Sequence, residues 1–371
     1  MHTTVETHLK NRMKTVFHAV QKPVDVLLIK NGTDPFIDQT FFYLTGLEHG
    51  LFEGSYLIGY HDGSLHLIVS ELESHTAQHT GFPLSVYSSK KDVETLLKQV
   101  VGTVRHIGLH FSALTHHDAL ALHTMFPSAS FTDISPAIQR TRLIKDTQEV
   151  ETIREACRIA DKVMQKIPGV IHKGLKEYEL AAEIDYHLQK YGATRPAFTT
   201  ISSFGAHAAE PHYTHGDTML HTGEVVLCDF GANYRGYNSD ITRTFICGKA
   251  TPQHMEMYRT VEHAQQIGFD SIRPGATASD VHHAVAASID KTPFRGTFIH
   301  STGHALGLSV HDGPGFSTES TLQLQEGMVF TVEPGVYLPG IGGVRIEDDI
   351  VVTKKGVDIL TKSPRHLQEL E

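Results

Sequence analysis

The chain has 371 residues, 40% of them hydrophobic, and a formal net charge of −10 at pH 7. That length accommodates two domains and a substantial core. The acidic balance disfavours binding to phosphate backbones, so nucleic acid is set aside and small substrates or peptides are favoured. No stretch approaches the roughly 18 apolar residues of a membrane span, and Cys157, Cys228 and Cys247, odd in number and widely spaced, fit reduced cytoplasmic thiols better than a disulfide framework.

In chain order, MHTTVETHLKNRMKTVFHAV reads as an amphipathic helix, without the apolar run or small-residue cleavage site of a signal peptide. Strand-forming runs follow at DVLLI (25–29), GSYLIGY (54–60), LHLIVS (65–70) and HIGLH (106–110), alternating with helical patterns. This alternation predicts a small α/β domain over residues 1–135. In TDISPAIQRTRLIKD the pattern loosens at Pro136 and turns basic, so a linker is expected at 136–146 and a second domain at 147–371.

The second domain opens with two helical periodicities, 148–167 and 176–192, and a similar pair returns at 252–272 and 276–290. The pairs share landmarks, IPG (167–169) against RPG (273–275) and AAEID (181–185) against AASID (286–290), which suggests a weak internal duplication. The acidic residues follow a similar offset, since Glu333 lies 104 residues after Asp229 and Glu347 lies 107 after Asp240. Two units related by a pseudo-twofold axis would bring these four carboxylates towards one point.

Asp229 and Asp240 flank a segment whose midpoint falls between Tyr234 and Arg235, just before Gly236, so a tight turn there sets the two acids opposite or diagonally across a hairpin. Glu333 ends a strand before Pro334, and Arg345 and Glu347, two apart, share a face of the next strand. Four converging carboxylates raise one another's pKa unless protons or cations neutralise them, and two divalent cations would match their charge. The glycine-bracketed HSTGHALGLSVHD adds His300, His304 and His311, whereas His116, His117, His123, His282 and His283 read as solvated helix faces.

Together RTRLIKDTQEVETIREACRIAD, DFGANYRGYNSDITRTF, HSTGHALGLSVHD, TVEPGVY and GVRIEDD, and more loosely NGTDPFIDQTFFYLTGL, resemble the pita-bread metallopeptidases, and within them the Xaa-Pro peptidases, prolidase and aminopeptidase P. The resemblance covers most of the chain. It implies a mixed α/β (α+β) protein, with a creatinase-like α/β domain followed by a pita-bread catalytic domain that carries a pseudo-twofold duplication. Carried over by motif, it implies that Asp229 chelates one metal, that His304 and Glu333 bind the other, and that Asp240 and Glu347 bridge both. The cofactor it implies is a pair of divalent ions, manganese first, with cobalt, zinc or iron as alternatives.

The same resemblance implies attack by a metal-bridging hydroxide on the bond preceding proline in Xaa-Pro dipeptides or short Xaa-Pro-Yaa peptides, with Glu333 as proton acceptor. His212, His300 and His311 would line the pocket, His212 or His311 polarising the carbonyl. Arg345 would orient Glu347, pair with a substrate carboxylate or serve as a structural ion pair. A homodimer is implied. A creatinase-like hydrolase or a catalytically lapsed binding protein shares the fold, and the complete ligand set favours the peptidase over both. Asp312, where the family usually has glutamate, and Ala305, where glycine is common, depart from the pattern and bear on the shape of the pocket.

Overall fold

Residues 2–371 are described in the computed structural model, with side chains from residue 7 onward. They fall into two units, Met1–Arg142 and Leu143–Glu371.

In the first unit the apolar runs become the buried strands β1 (Val26–Lys30), β2 (Tyr56–Gly59), β3 (Leu65–Ser70) and β5 (His106–Leu109). Two further strands, β4 (Leu84–Tyr87) and β6 (Ser130–Asp133), complete a six-stranded sheet of order β4-β3-β2-β1-β5-β6. The sheet is mixed: β1–β2 and β2–β3 are antiparallel, and β3–β4, β1–β5 and β5–β6 are parallel. Six helices accompany it: α1 (His2–Ala19), α2 (Gln39–Thr45), α3 (Glu71–Gln78), α4 (Lys90–Val101), α5 (His116–Met125) and α6 (Ser135–Leu143). Helix α6 occupies much of the segment expected as a linker. Pro136 is tolerated there because it lies in the first turn, where its missing N–H costs no helical bond.

The second unit begins with α7 (Thr147–Met164), which starts at a capping box: the Asp146 carboxylate accepts from the Gln148 and Glu149 N–H groups, and Glu149 reaches back to the Asp146 N–H. Helix α8 (Glu177–Lys190) follows. The apolar faces of α7 and α8 share a core with Phe204, Val226, Cys228, Phe230 and Phe245. Beneath them lie β7 (Arg195–Pro196), β8 (Ile201–Phe204), β9 (Val225–Phe230), β10 (Ala232–Tyr234), β11 (Tyr237–Asn238) and β12 (Ile241–Cys247).

The plan then repeats. Helices α9 (Pro252–Ser271) and α10 (Ala278–Asp290) precede β13 (Val329–Val332), β14 (Gly335–Leu338), β15 (Gly342–Arg345), β16 (Asp348–Thr353) and β17 (Gly356–Ile359). The duplication landmarks occupy corresponding places, AAEID within α8 and AASID within α10. The final strand, β18 (Gln368–Leu370), returns to pair parallel with β12 of the first half. All three cysteines are buried and free.

Register positions the acids. The hairpin turns through Arg235 and Gly236, both at positive φ (48° and 84°), the two-residue turn that matches the twist of its strands. Its centre lies one residue later than the midpoint of the acids, so Asp229 pairs with Thr242 and Asp240 lies diagonally, on the same face. In the second half the pairs Val332↔Asp348 and Gly335↔Arg345 bracket Glu333 and Glu347, which therefore face each other where the two ladders meet.

Candidate metal centre

The two hairpins join edge to edge along residues 242–244 and 345–347. The Glu347 N–H donates to the Thr242 carbonyl (3.1 Å), the Thr242 hydroxyl donates to Glu347 Oε2 (2.6 Å), and the Thr244 hydroxyl donates to the Arg345 carbonyl (2.9 Å). This seam brings the acids of both halves together. Ligand atoms of Asp240, His304 and Glu347 lie within 4.8 Å of one another. His304 Nε2 is 3.6 Å from Asp240 Oδ2 and 3.7 Å from Glu333 Oε1. Asp229 is tied in through Arg345, whose Nη2 donates to Asp229 Oδ2 at 2.6 Å.

Local backbone explains how His304 arrives. Gly303 lets the chain press against β13: a Cβ at Gly303 would stand 2.0 Å from the Thr331 carbonyl oxygen, so only glycine fits. The His304 N–H then donates to Thr331 Oγ1 (3.1 Å), and the Glu333 N–H donates to the Thr302 carbonyl (2.8 Å).

Electrostatically the cluster is unbalanced. Burial first, then Glu347 and Asp229, holds Asp240 well above the usual carboxylate range. Burial, Glu333 and Asp229 do the same to Glu347, against the pull of Arg345 and the Thr242 hydroxyl. Burial raises Glu333 to about 7, opposed by Arg345 and reinforced by Asp229. Burial also lowers His304 to about 4, with His311 contributing, and His300 to about 3, with Arg345 contributing, so both imidazoles are neutral near pH 7. Neutral imidazole is the form that can donate a lone pair to a metal.

The residues fit divalent cations. Among the described residues, Asp229 Oδ1 and Asp240 Oδ1 are buried without a hydrogen-bond partner. Such oxygens, beside a neutral imidazole and acids that repel one another, are a donor set lacking positive charge. The metal-free protein is accordingly expected to lose stability as pH rises. Each raised carboxyl binds its proton more tightly folded than unfolded, so its contribution is full below the unfolded value near 4.3 and declines as pH passes through the folded value, about 7 for Glu333. Thermal melts in chelator between about pH 7 and 8.5, above the range in which the lowered His300 and His304 make stability rise with pH, should show a falling Tm, and saturating Mn2+ should flatten that fall. A Tm in chelator that climbs over this window would contradict the carboxylate assignment.

The other expected residues surround this cluster. His300 Nε2 is 2.8 Å from the Tyr337 hydroxyl and its Nδ1 is 3.9 Å from Glu333 Oε2. The His304 and His311 rings meet edge to face at 4.3 Å, and burial together with His212 lowers the His311 pKa. His212 is exposed, and the carbonyl of its neighbour Pro211 accepts from Arg345 Nη1 at 3.4 Å. Arg345 is 3% exposed and donates to Thr242 Oγ1, the Tyr337 hydroxyl, Pro211 and Asp229; no bond to the Glu347 carboxylate is among these. The acid it pairs with is therefore Asp229; Glu347 was the partner in one of the three roles expected of it.

One expectation needs correction. His282 is buried, not solvated: its Nδ1 is 3.0 Å from Thr302 Oγ1 and its ring packs beside Phe298, behind His300. Both departures from the family pattern are buried. Ala305 packs in the core with Phe316 and Phe330, and buried Asp312 lies 3.5 Å from the buried Lys145 ammonium. Tyr337 and Thr242 were missed as site residues, although Tyr337 stands inside the quoted TVEPGVY. A third missed residue is Asp349, whose Oδ2 accepts from the Asp240 N–H (2.8 Å) and from Cys157 Sγ (3.2 Å).

Comparison with known proteins adds an independent observation. Metallopeptidase family M24 matches residues 151–354, and the Creatinase/Prolidase N-terminal domain matches residues 17–144. The chain belongs to metallopeptidase family M24. As an M24 metallopeptidase it is a hydrolase with the pita-bread fold behind a creatinase-type domain. It is 37% identical to the Xaa-Pro dipeptidase of Pyrococcus horikoshii over 302 residues, 81% of this chain and 85% of the relative. Among solved structures it resembles the Xaa-Pro dipeptidase from Bacillus anthracis (TM-score 0.88, 31% identity, covering 98% of this chain and 100% of that one). It also resembles the X-Pro aminopeptidase from Thermotoga maritima (TM-score 0.87, 28% identity, covering 94% and 98%). Family membership implies divalent metal ions and a peptide substrate. No helix among the described residues is long and apolar enough to cross a membrane.

Proposed function

We propose that this metallopeptidase hydrolyses the bond preceding proline in Xaa-Pro dipeptides or short Xaa-Pro-Yaa peptides, using two divalent cations held by Asp229, Asp240, His304, Glu333 and Glu347. The observation that carries the reading is the meeting of Asp240, His304 and Glu347 ligand atoms within 4.8 Å, with acids from both halves of the duplication around them. The prolyl specificity is supported by the names of the relatives, which are Xaa-Pro dipeptidases and an X-Pro aminopeptidase. When bound, the cations would supply Lewis acidity and acidify water near neutral pH.

The chain's own groups divide the remaining work. Glu333, whose carboxyl is raised to about 7 by burial in the metal-free protein, accepts and returns the proton of the attacking water. His212 and His311 face the substrate carbonyl and offer it N–H donors. His311 is held neutral by burial and by His212, so it steadies developing negative charge by hydrogen bonding. Arg345 fixes the orientation of Asp229 and, through Tyr337, that of His300. Manganese is the proposed native ion, and the active form is a cytoplasmic homodimer.

Turnover of Xaa-Pro and Xaa-Pro-Yaa peptides by metal-depleted protein, reloaded with Mn2+, Co2+, Zn2+ or Fe2+ in turn, tests the reading. Cleavage is expected only after reloading, and before proline only. Protein that binds each ion at two equivalents and cuts no prolyl peptide would overturn the substrate assignment.

A further inference from the structure

Outside the acid cluster stands another buried carboxylate, Glu177, the first residue of α8, fully shielded from solvent. Its Oε1 accepts from the Phe204 N–H (2.9 Å) and lies 3.0 Å from His207 Nδ1, and its Oε2 accepts from the Tyr213 hydroxyl (3.1 Å) and the Gly216 N–H (2.9 Å). A carboxylate only accepts, so Nδ1 carries the His207 proton and four donors fill the four lone-pair sites. All four belong to one stretch of chain, residues 204–216. Phe204 and His207 stand at its beginning, and Tyr213 and Gly216 at its end.

Further contacts tighten the same clamp. The His207 and Tyr213 rings stack at 4.1 Å, joining the two ends directly. Gly216 packs closely here, since a Cβ would stand 2.5 Å from the Tyr213 oxygen and would push that ring aside. Between the clamped ends lie Pro211, whose carbonyl faces Arg345, and His212. Among the described residues the His212 imidazole makes no hydrogen bond. Its place at the site therefore depends on where its backbone is held.

We propose that Glu177 is the positioning residue for His212, a buried carboxylate that ties both ends of residues 204–216 and so sets the reach of that imidazole into the peptidase site. The assignment rests on the function proposed above for what His212 does, and on the hydrogen bonds alone for the clamp. Glu177 touches no reacting atom and acts through the loop. Its role is kinetic, since a catalytic group misplaced by about 1 Å can cost 10²-fold in rate.

Glu177→Gln tests it, because the amide keeps the shape of the side chain but turns a donor towards one of the N–H groups it must accept from. In metal-free protein, amide exchange at Phe204 and Gly216 is expected to accelerate at least about tenfold. In Mn2+-loaded protein, kcat on a Xaa-Pro dipeptide is expected to fall by about 10- to 100-fold with metal stoichiometry unchanged. In a His212→Ala background the same change should lower kcat by less than about twofold, since the residue through which it acts is gone. Tyr213→Phe, which removes one donor and leaves the carboxylate, provides a milder second variant with a loss of roughly fivefold. Unchanged exchange, or the full loss persisting in the His212→Ala background, would overturn the proposal. Wild-type protein that cuts no prolyl peptide would instead overturn the functional reading, and exchange at Phe204 and Gly216 would still decide the clamp.

Discussion

Asp240→Ala is expected to reduce kcat/KM on Xaa-Pro dipeptides by on the order of 10³-fold or more and to remove much of the divalent-metal binding, while the fold survives. Loss of activity follows from position: Asp240 meets both His304 and Glu347 at the point where the halves join, and one of its oxygens is buried without a protein partner. Survival of the fold follows from the main chain. The Asp240 N–H is held by Asp349 Oδ2, a contact the alanine retains. Removing one acid also relieves repulsion on Glu347 and Glu333, so in chelator above about pH 7 the variant should melt no lower than the parent. Circular dichroism, metal titration and turnover on one preparation check all three. Parental turnover, or undiminished binding of two metal equivalents, would refute the ligand role.

Arg243→Ala is expected to be the most destabilising single change in the second unit. Arg243 is 2% exposed. Its Nε donates to the Pro364 carbonyl (2.8 Å), Nη1 to the carbonyls of Thr242 (2.9 Å) and Glu347 (2.6 Å), and Nη2 to Asp348 Oδ1 (2.7 Å) and the Ser363 carbonyl (2.7 Å). One guanidinium thus stitches β12 of the first half to the Glu347–Asp348 corner of the second. Truncation strands a buried carboxylate and several carbonyls, a loss of about 3–5 kcal/mol for a broken buried pair. At a few degrees per kcal/mol for a domain of this size, Tm should drop by about 10 °C. Arg243→Lys should recover only part of that, because an ammonium cannot supply the planar fork. A Tm for the alanine variant within a degree or two of the parent would show that the seam does not depend on this residue.

How much of this was legible from sequence follows from what each residue has for neighbours along the chain. The acids could be read because strand periodicity and a repeat offset are properties of the linear sequence, and the hairpin turning at Arg235–Gly236 takes the diagonal of the two arrangements that the spacing allowed. Strands β4 and β6 went unread because both edge strands are half exposed and lack an apolar run. The helix within the linker segment was hidden by Pro136, although a first-turn proline and the basic residues Arg140 and Arg142 near its end suit a helix. Thr242 and Asp349 were missed because their partners are distant in sequence, whereas Tyr337 was missed although Arg345 lies close by on the paired strand. Asp349 holds a residue 109 positions away and Thr242 one 105 away. His282 was misjudged because a helical histidine beside an exposed one gives no sign of which face is inside.

The seam between the halves bears on how the chain could be divided. Asp229 and Asp240 precede the link between β12 and α9, whereas His304, Glu333 and Glu347 follow it. In that link Lys249 is largely exposed, with its ammonium 2.8 Å from Glu369. A break at this point would leave two pieces, neither carrying all five of the proposed ligands. The first would also lose β18 and every partner of Arg243 except the Thr242 carbonyl. Each fragment would be silent by itself and peptidase activity would return only on reassociation, so the enzyme is built as a natural split reporter in which catalysis and complementation are the same event.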